Sequence, residues 1–285
     1  MSWPASREFR SRRLRLHYLE WGHEDAPTII LVHGGNDHAR SWDFVADRLR
    51  GDYRILAPDL RGHGDSDWSP DGHYSLTANA IDLAELIRHE RLAPATIVAH
   101  SYGAMTALHH AALFPEQVAR LVAIEGIVTR SQTDETARDR IRTHYDRQRA
   151  FIDKTAPRYA TIEDAAARMK VTNPRLSAEM AHHLALHGTR PGADGGRSWK
   201  FDPLVRLRTP IDLSPEEEFG LYAQIACPVL MLQGDESTFR IDPDDPRAGA
   251  ILDGRLVTLE GAGHWVQHDR LDGVVEAIRG FLSPA

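Results

Sequence analysis

Cysteine is almost missing from this sequence: Cys227 is the only one in 285 residues, which excludes an intramolecular disulfide and a cysteine-based zinc cluster. Long apolar runs are missing too. None approaches the roughly 18 residues needed to cross a bilayer, so no membrane partner is expected. Arg7, Arg10, Arg12, Arg13 and Arg15 form a conspicuous early cluster. No apolar stretch of signal-peptide type follows them, and they read as the solvated surface of a first strand. Nor is there an excess of positive charge. Lys and Arg number 34 against 41 Asp and Glu, a net charge of −7, whereas a nucleic-acid binder needs a basic surface for the phosphates. These absences predict a cytoplasmic protein with no nucleic-acid or membrane partner, acting as a monomer or homodimer.

What is present is ordinary globular material. Hydrophobic residues at 42% and charged residues at 26% sit near the usual averages and argue against disorder or a fibrous repeat. Short runs rich in Ile, Leu, Val and Ala predict strands over 14–22, 28–34, 53–60, 95–100, 120–126, 228–234 and 255–261. From 28 onward these runs are nearly continuous in apolar residues, the pattern of parallel strands buried on both faces. Helical stretches over 41–50, 76–90, 103–114 and 272–282 alternate with them. The fold class is therefore α/β, a doubly wound and mostly parallel sheet, with an antiparallel start made by the first two runs.

The alternation stops between 127 and 221. The segment is polar, arginine-rich and helix-favouring, with a glycine-rich loop, "PGADGGRSWKFDP". It is expected to form a helical cap over the carboxyl edge of a core made of 1–126 and 222–285, since ligands bind at that edge in such sheets.

The chemistry centres on "IVAHSYGAM". Ser101 lies where a predicted strand gives way to a predicted helix, with small residues Ala99 and Gly103 two positions to either side. This spacing suits a sharp strand-to-helix turn that exposes a nucleophilic serine, where larger neighbours would clash. The backbone N–H of Tyr102, at the start of the helix, is placed to meet a developing oxyanion. A second donor is expected from "HGG" behind the 28–34 run, and the N–H of Gly35 is chosen. If the chain order is Ser, acid, His, the general base lies downstream, and His264 in "LEGAGHWVQHD" sits in the loop between the last strand and the last helix. His268 is its competitor, closer to the helix.

The ordered set "HGG" (33–35), "DLRGHGDS" (59–66), "AHSYGA" (99–104) and "GAGHW" (261–265) resembles the α/β-hydrolase fold superfamily over nearly the whole chain. The resemblance gives Asp59, Arg61 and His63 scaffold roles. It departs from the common pattern at the acid. Most members carry an aspartate three residues after a glycine behind the strand that follows the cap. In "LQGDEST" that position is Ser237, which cannot serve. Asp235 and Glu236 are alternatives by a local shift. Glu125, 24 residues after Ser101 at the end of an apolar strand, is favoured, because haloalkane dehalogenases are similar in placing an acid there. A charge ending a buried strand also needs a partner.

The resemblance implies a serine hydrolase acting on a small-molecule carboxylic ester, with Ser101, His264 and Glu125 as catalytic residues and no metal or organic cofactor. Lactonase, C–C bond hydrolase, perhydrolase and cofactor-independent dioxygenase are the alternatives. Haloalkane dehalogenases and epoxide hydrolases need an aspartate where Ser101 stands. Asn36, His100, Trp199 and Trp265 are candidate pocket residues, with Phe201 and the Tyr102 ring beside them. The cap sequence is similar to that of serine hydrolase-like proteins. His183 and His187 share a helix face, and a surface or cap-packing role is expected.

Overall fold

Why the predicted strands pair as they do is visible in the computed structural model, which describes residues 4–127, 136–152, 157–193, 195–207, 209–210, 213–242 and 244–283. The first half alternates β1 (Ala5–Ser11), β2 (Leu14–Trp21), β3 (Thr28–Val32), α1 (Asp43–Leu49), β4 (Arg54–Pro58), α2 (Leu76–Glu90), β5 (Ala95–His100), α3 (Tyr102–Leu113) and β6 (Val118–Ile124). An inserted stretch follows, with α4 (Ala137–Ile152), α5 (Ile162–Thr172), α6 (Ala178–Gly188), a hairpin of β7 (Thr189–Pro191) and β8 (Arg197–Trp199), and α7 (Pro215–Tyr222). The chain then returns through β9 (Val229–Gly234), α8 (Pro246–Gly249), β10 (Gly254–Leu259), α9 (Val266–Asp269) and α10 (Leu271–Leu282).

Eight strands form one sheet in the order β1-β2-β4-β3-β5-β6-β9-β10. β2 runs antiparallel to both β1 and β4, and every later pairing is parallel. The core strands are buried on both faces, as their continuous apolar runs require. Leu83, Leu86, Ala107 and Leu108 of α2 and α3 cover one face, and Val45, Leu49, Val274 and Ile278 of α1 and α10 cover the other. The Cys227 thiol is buried in the first of these layers, and burial pushes its pKa up to about 11.

Two expectations change. The antiparallel start is made by β1 and β2, not by the runs at 14–22 and 28–34, because β3 crosses to the sheet interior and pairs in parallel with β4 and β5. The glycine-rich loop at 191–203 also carries the β7–β8 hairpin, a pairing too short for periodicity to reveal. The helix-favouring insertion carries α4, α5, α6 and α7. α5 begins with a reciprocal cap between Thr161 and Asp164, and Ser177 caps α6. No helix among the described residues is long and apolar enough to cross a membrane.

The segment "DLRGHGDS" is built as scaffold. Arg61 lays its guanidinium on Asp82 of α2 in a fork, Nε to Oδ2 at 2.5 Å and Nη2 to Oδ1 at 2.6 Å, with both side chains buried. Ser11 and Arg12 at the end of β1 bond the same carboxylate, so one acid joins the antiparallel edge, the 59–66 loop and α2. Asp82→Ala leaves a buried guanidinium without its counter-charge. The expected loss is about 3–5 kcal/mol, read from urea denaturation.

Candidate active site

Ser101 follows β5 directly, in a backbone conformation of φ 51° and ψ −119° that non-glycine residues rarely adopt. Such strain costs on the order of 1–3 kcal/mol and persists only where the surroundings impose it. Here the N–H of Ser101 donates to Ile124 O of β6 at 2.8 Å, and α3 begins at the next residue. Close packing explains the small neighbours. A side chain at Gly103 would put its first carbon 2.3 Å from the carbonyl oxygen of His33, and one at Gly126 would meet Ala104 at 2.1 Å. Ala99 is fully buried, and its methyl is accommodated where glycine is commoner.

The structure brings Ser101, His264 and Glu125 together. His264 Nε2 lies 2.9 Å from Ser101 Oγ, and His264 Nδ1 lies 3.2 Å from Glu125 Oε2. Glu125 stands just beyond β6 at φ 56°, its side chain without exposed surface. Its other contacts come from the strand that follows the insertion: Gly234 N donates to Oε1 at 2.8 Å, and Ser237 Oγ donates to Oε2 at 2.5 Å. The serine three residues after Gly234 thus donates its hydroxyl to Glu125. Asp235 and Glu236 are elsewhere. Asp235 Oδ1 accepts from Ala262 N at 3.2 Å, and Glu236 pairs with Arg175.

Rings surround His264, with centroids at 4.6 Å for Phe239, 4.9 Å for His100 and 5.1 Å for Trp265. Trp265 is thus a neighbour of the imidazole, as its place in the sequence suggests. His100, expected in the pocket, is buried instead. Its Nε2–H donates to the carbonyl of His264 at 2.8 Å and so ties the loop to the end of β5. Burial, then the nearby His264, holds its pKa well below the ordinary histidine value. His268 does not reach Ser101. Its ring is pushed down to about 4 by burial and by His183.

Gly35 lies near the elbow, where an added side-chain carbon would stand 3.6 Å from Tyr102 Cβ. The Tyr102 ring points away: its hydroxyl accepts from Asn79 Nδ2 at 3.0 Å and donates to Tyr74 O at 3.2 Å. The next residue, Asn36, is exposed at φ 59°, and its N–H donates to His63 Nε2 at 3.1 Å. That acceptor exists because His63 is neutral. Burial and His33 lower its pKa to about 3, and its Nδ1–H donates to Arg61 O at 3.0 Å. The loop carrying Gly35 is therefore held from the 59–66 scaffold.

Trp199 and Phe201 stack at 6.1 Å with planes 10° apart, and Trp199 Nε1 donates to the Tyr159 hydroxyl oxygen at 3.1 Å. His183, on α6, bonds Arg40 O at 3.1 Å and packs its ring 5.1 Å from Phe44, a cap-packing role. Among the described residues, two groups gather possible metal donors within 4.8 Å: Asp43 with His183 and His187, and His17 with Asp59 and Asp65. In each, a carboxylate already meets a cation, Arg40 on Asp43 at 2.6 Å and Lys200 on Asp65 at 2.8 Å, which opposes a bound metal. A cavity of about 210 Å³ lies between the 59–65 loop, β2 and the insertion, lined by Ser6, His17, Asp59 and Lys200 and not by the Ser101 group. Ser237, Phe239 and Arg206 were not legible as site residues. Only the spacing of Ser237 after Gly234 gave any signal.

The profile of the Alpha/beta hydrolase family matches residues 29–277, and the chain belongs to that family. The chain is 30% identical to the esterase Rv0045c of Mycobacterium tuberculosis over 93% of its own length and 85% of the relative's. It is 26% identical to a serine hydrolase-like protein of Danio rerio, over 93% and 84% of the two chains. The solved structure of a hypothetical protein from Pseudomonas aeruginosa PAO1 superposes with a TM-score of 0.88 at 25% identity, covering 98% of this chain and 99% of that one.

The packing at the elbow is testable at Gly34. A methyl there would lie 2.9 Å from His100 Nδ1 and 3.3 Å from Ser101 Cβ, and the His100 ring is held at its other nitrogen. Gly34→Ala should cost about 1–3 kcal/mol through overpacking, measured as a lowered urea midpoint.

Proposed function

We propose that the protein hydrolyses a carboxylic ester of a small or medium-sized molecule through an acyl-enzyme intermediate on Ser101. The observation that carries this is the unbroken hydrogen-bonded line from Ser101 Oγ through both nitrogens of His264 to Glu125. Esterase relatives support the same reaction class.

In the proposed reaction Ser101 Oγ attacks the acyl carbon as its proton passes to His264 Nε2. Glu125 keeps the Nδ1–H tautomer in place and stabilises the imidazolium without taking its proton. The N–H groups of Gly35 and Tyr102 receive the negative charge on the carbonyl oxygen. His264 then gives its proton to the departing alcohol. Water, deprotonated by the same nitrogen, attacks the acyl carbon and releases the acid with Ser101 restored. Strain at Ser101 serves this reading by holding the hydroxyl clear of the sheet, aimed at the imidazole.

A cofactor-independent dioxygenase would use the His264–Glu125 pair as a base and leave the serine idle, consuming oxygen without cleaving esters. The 2.9 Å contact to Ser101 Oγ favours hydrolysis.

With p-nitrophenyl esters of graded acyl length, Ser101→Ala should abolish turnover. Glu125→Gln should reduce kcat by up to about 10⁴, the scale seen when a triad acid loses its charge. Asp235→Asn should lower kcat far less than Glu125→Gln, since Asp235 bonds the backbone of Ala262 and not His264. Loss of activity in Asp235→Asn with retention in Glu125→Gln would refute the assignment of the acid.

A further inference from the structure

Arg206 is a cation beside the candidate active site for which the ester-hydrolysis reading has no use. It ends a short helical turn, Pro203–Arg206, anchored to the core by its cap, Asp202. The Asp202 N–H donates to Gly62 O at 2.8 Å, and Tyr74 donates its hydroxyl to Asp202 Oδ2 at 2.5 Å. From that anchored turn the Arg206 Nε donates to Asn36 Oδ1 at 3.0 Å. Asn36 directly follows Gly35, so the guanidinium is tied to the residue next to the proposed oxyanion donor.

The guanidinium also lies over the Phe201 ring, 4.9 Å from its centroid, and Phe201 is stacked on Trp199. Among the described residues no carboxylate meets Arg206. Desolvation, opposed by Tyr159 and aided by Arg168 of α5, holds the Arg206 pKa below the ordinary arginine value. A guanidinium held at Nε and on one face, and meeting no carboxylate among the described residues, offers its two terminal nitrogens as a pre-oriented fork. Such a fork matches a carboxylate in bidentate geometry.

We propose that Arg206, steered by Asn36 and backed by Phe201, is a binding subsite for a carboxylate carried by the substrate, so that the protein prefers anionic esters to neutral ones. This rests on the ester-hydrolysis reading and narrows its substrate class. Lysine could supply charge but not the fork, and the same reasoning makes the preference sensitive to salt.

The test uses matched esters that differ only by methyl capping of a carboxylate. On the acyl side these are p-nitrophenyl hydrogen glutarate and p-nitrophenyl methyl glutarate. On the alcohol side they are the butyryl esters of 4-hydroxybenzoate and of methyl 4-hydroxybenzoate. In one pair the free carboxylate should raise kcat/KM by about tenfold or more, the scale of a charge-assisted hydrogen bond, and added NaCl should shrink the gap. Arg206→Gln should remove that advantage chiefly through KM, and Arg206→Lys should retain part of it. Ser101-dependent turnover with no preference in either pair overturns the subsite alone, as does an Arg206→Gln variant that slows capped and free esters equally. If wild type turns over none of the four, the hydrolysis reading fails. Calorimetric titration with monomethyl glutarate then decides the subsite: tighter binding to wild type than to Arg206→Gln sustains it, and equal or absent binding overturns it.

Discussion

A carboxylate with no exposed surface organises this protein. Glu125 leaves the end of β6, and its oxygens receive the N–H of Gly234 from β9, the hydroxyl of Ser237 and the imidazole of His264. An ionised carboxylate deprived of water is tolerable only when donors replace the lost hydration. Those donors arrive from two separate stretches of chain, the end of β9 with its following turn and the loop after β10. The parallel pairing of β6 with β9, and of β9 with β10, is therefore what allows the charge to be buried. The charge in return fixes where the loop after β10 must lie.

The same economy of support recurs on the other side of Ser101. His33, His63 and His100 surround the "HGG" turn, and each bonds backbone: His33 Nε2 accepts from Leu60 N at 3.0 Å, His63 Nε2 accepts from Asn36 N, and His100 donates to His264 O. A neutral imidazole has one donor and one acceptor, so it can join two loops that expose opposite backbone groups. Burial keeps His63 and His100 neutral in this work. Histidines that look like surplus catalytic candidates in the sequence are thus joints between loops.

Positioning also explains why the site stands where the sheet meets the insertion. Ser101 and Glu125 both follow carboxyl ends of parallel strands, and both have positive φ. Each turn redirects a side chain out of the sheet plane, a geometry that strands alone cannot provide. The inserted stretch meets this edge through His38 Nε2, which bonds Leu184 O at 3.0 Å, and through Asn36, which bonds Arg206.

Much of this was legible from residue order. Apolar runs outlined the core strands, since burial on both faces leaves an uninterrupted signature, and α2 was bounded at Leu76 and Glu90 as read. Small residues around Ser101 marked the elbow because only they fit against the carbonyls of β3. The expectation of Glu125 rested on its place at the end of a strand and on resemblance, not on any visible partner. What the tertiary structure alone decided is pairing. That β2 sits between β1 and β4, that Ser237 turns its hydroxyl to Glu125, and that Arg206 reaches Asn36 across 170 positions of sequence all depend on contacts between distant segments. Local propensity and periodicity report a residue's own element, whereas such contacts arise only once the sheet has brought those elements side by side.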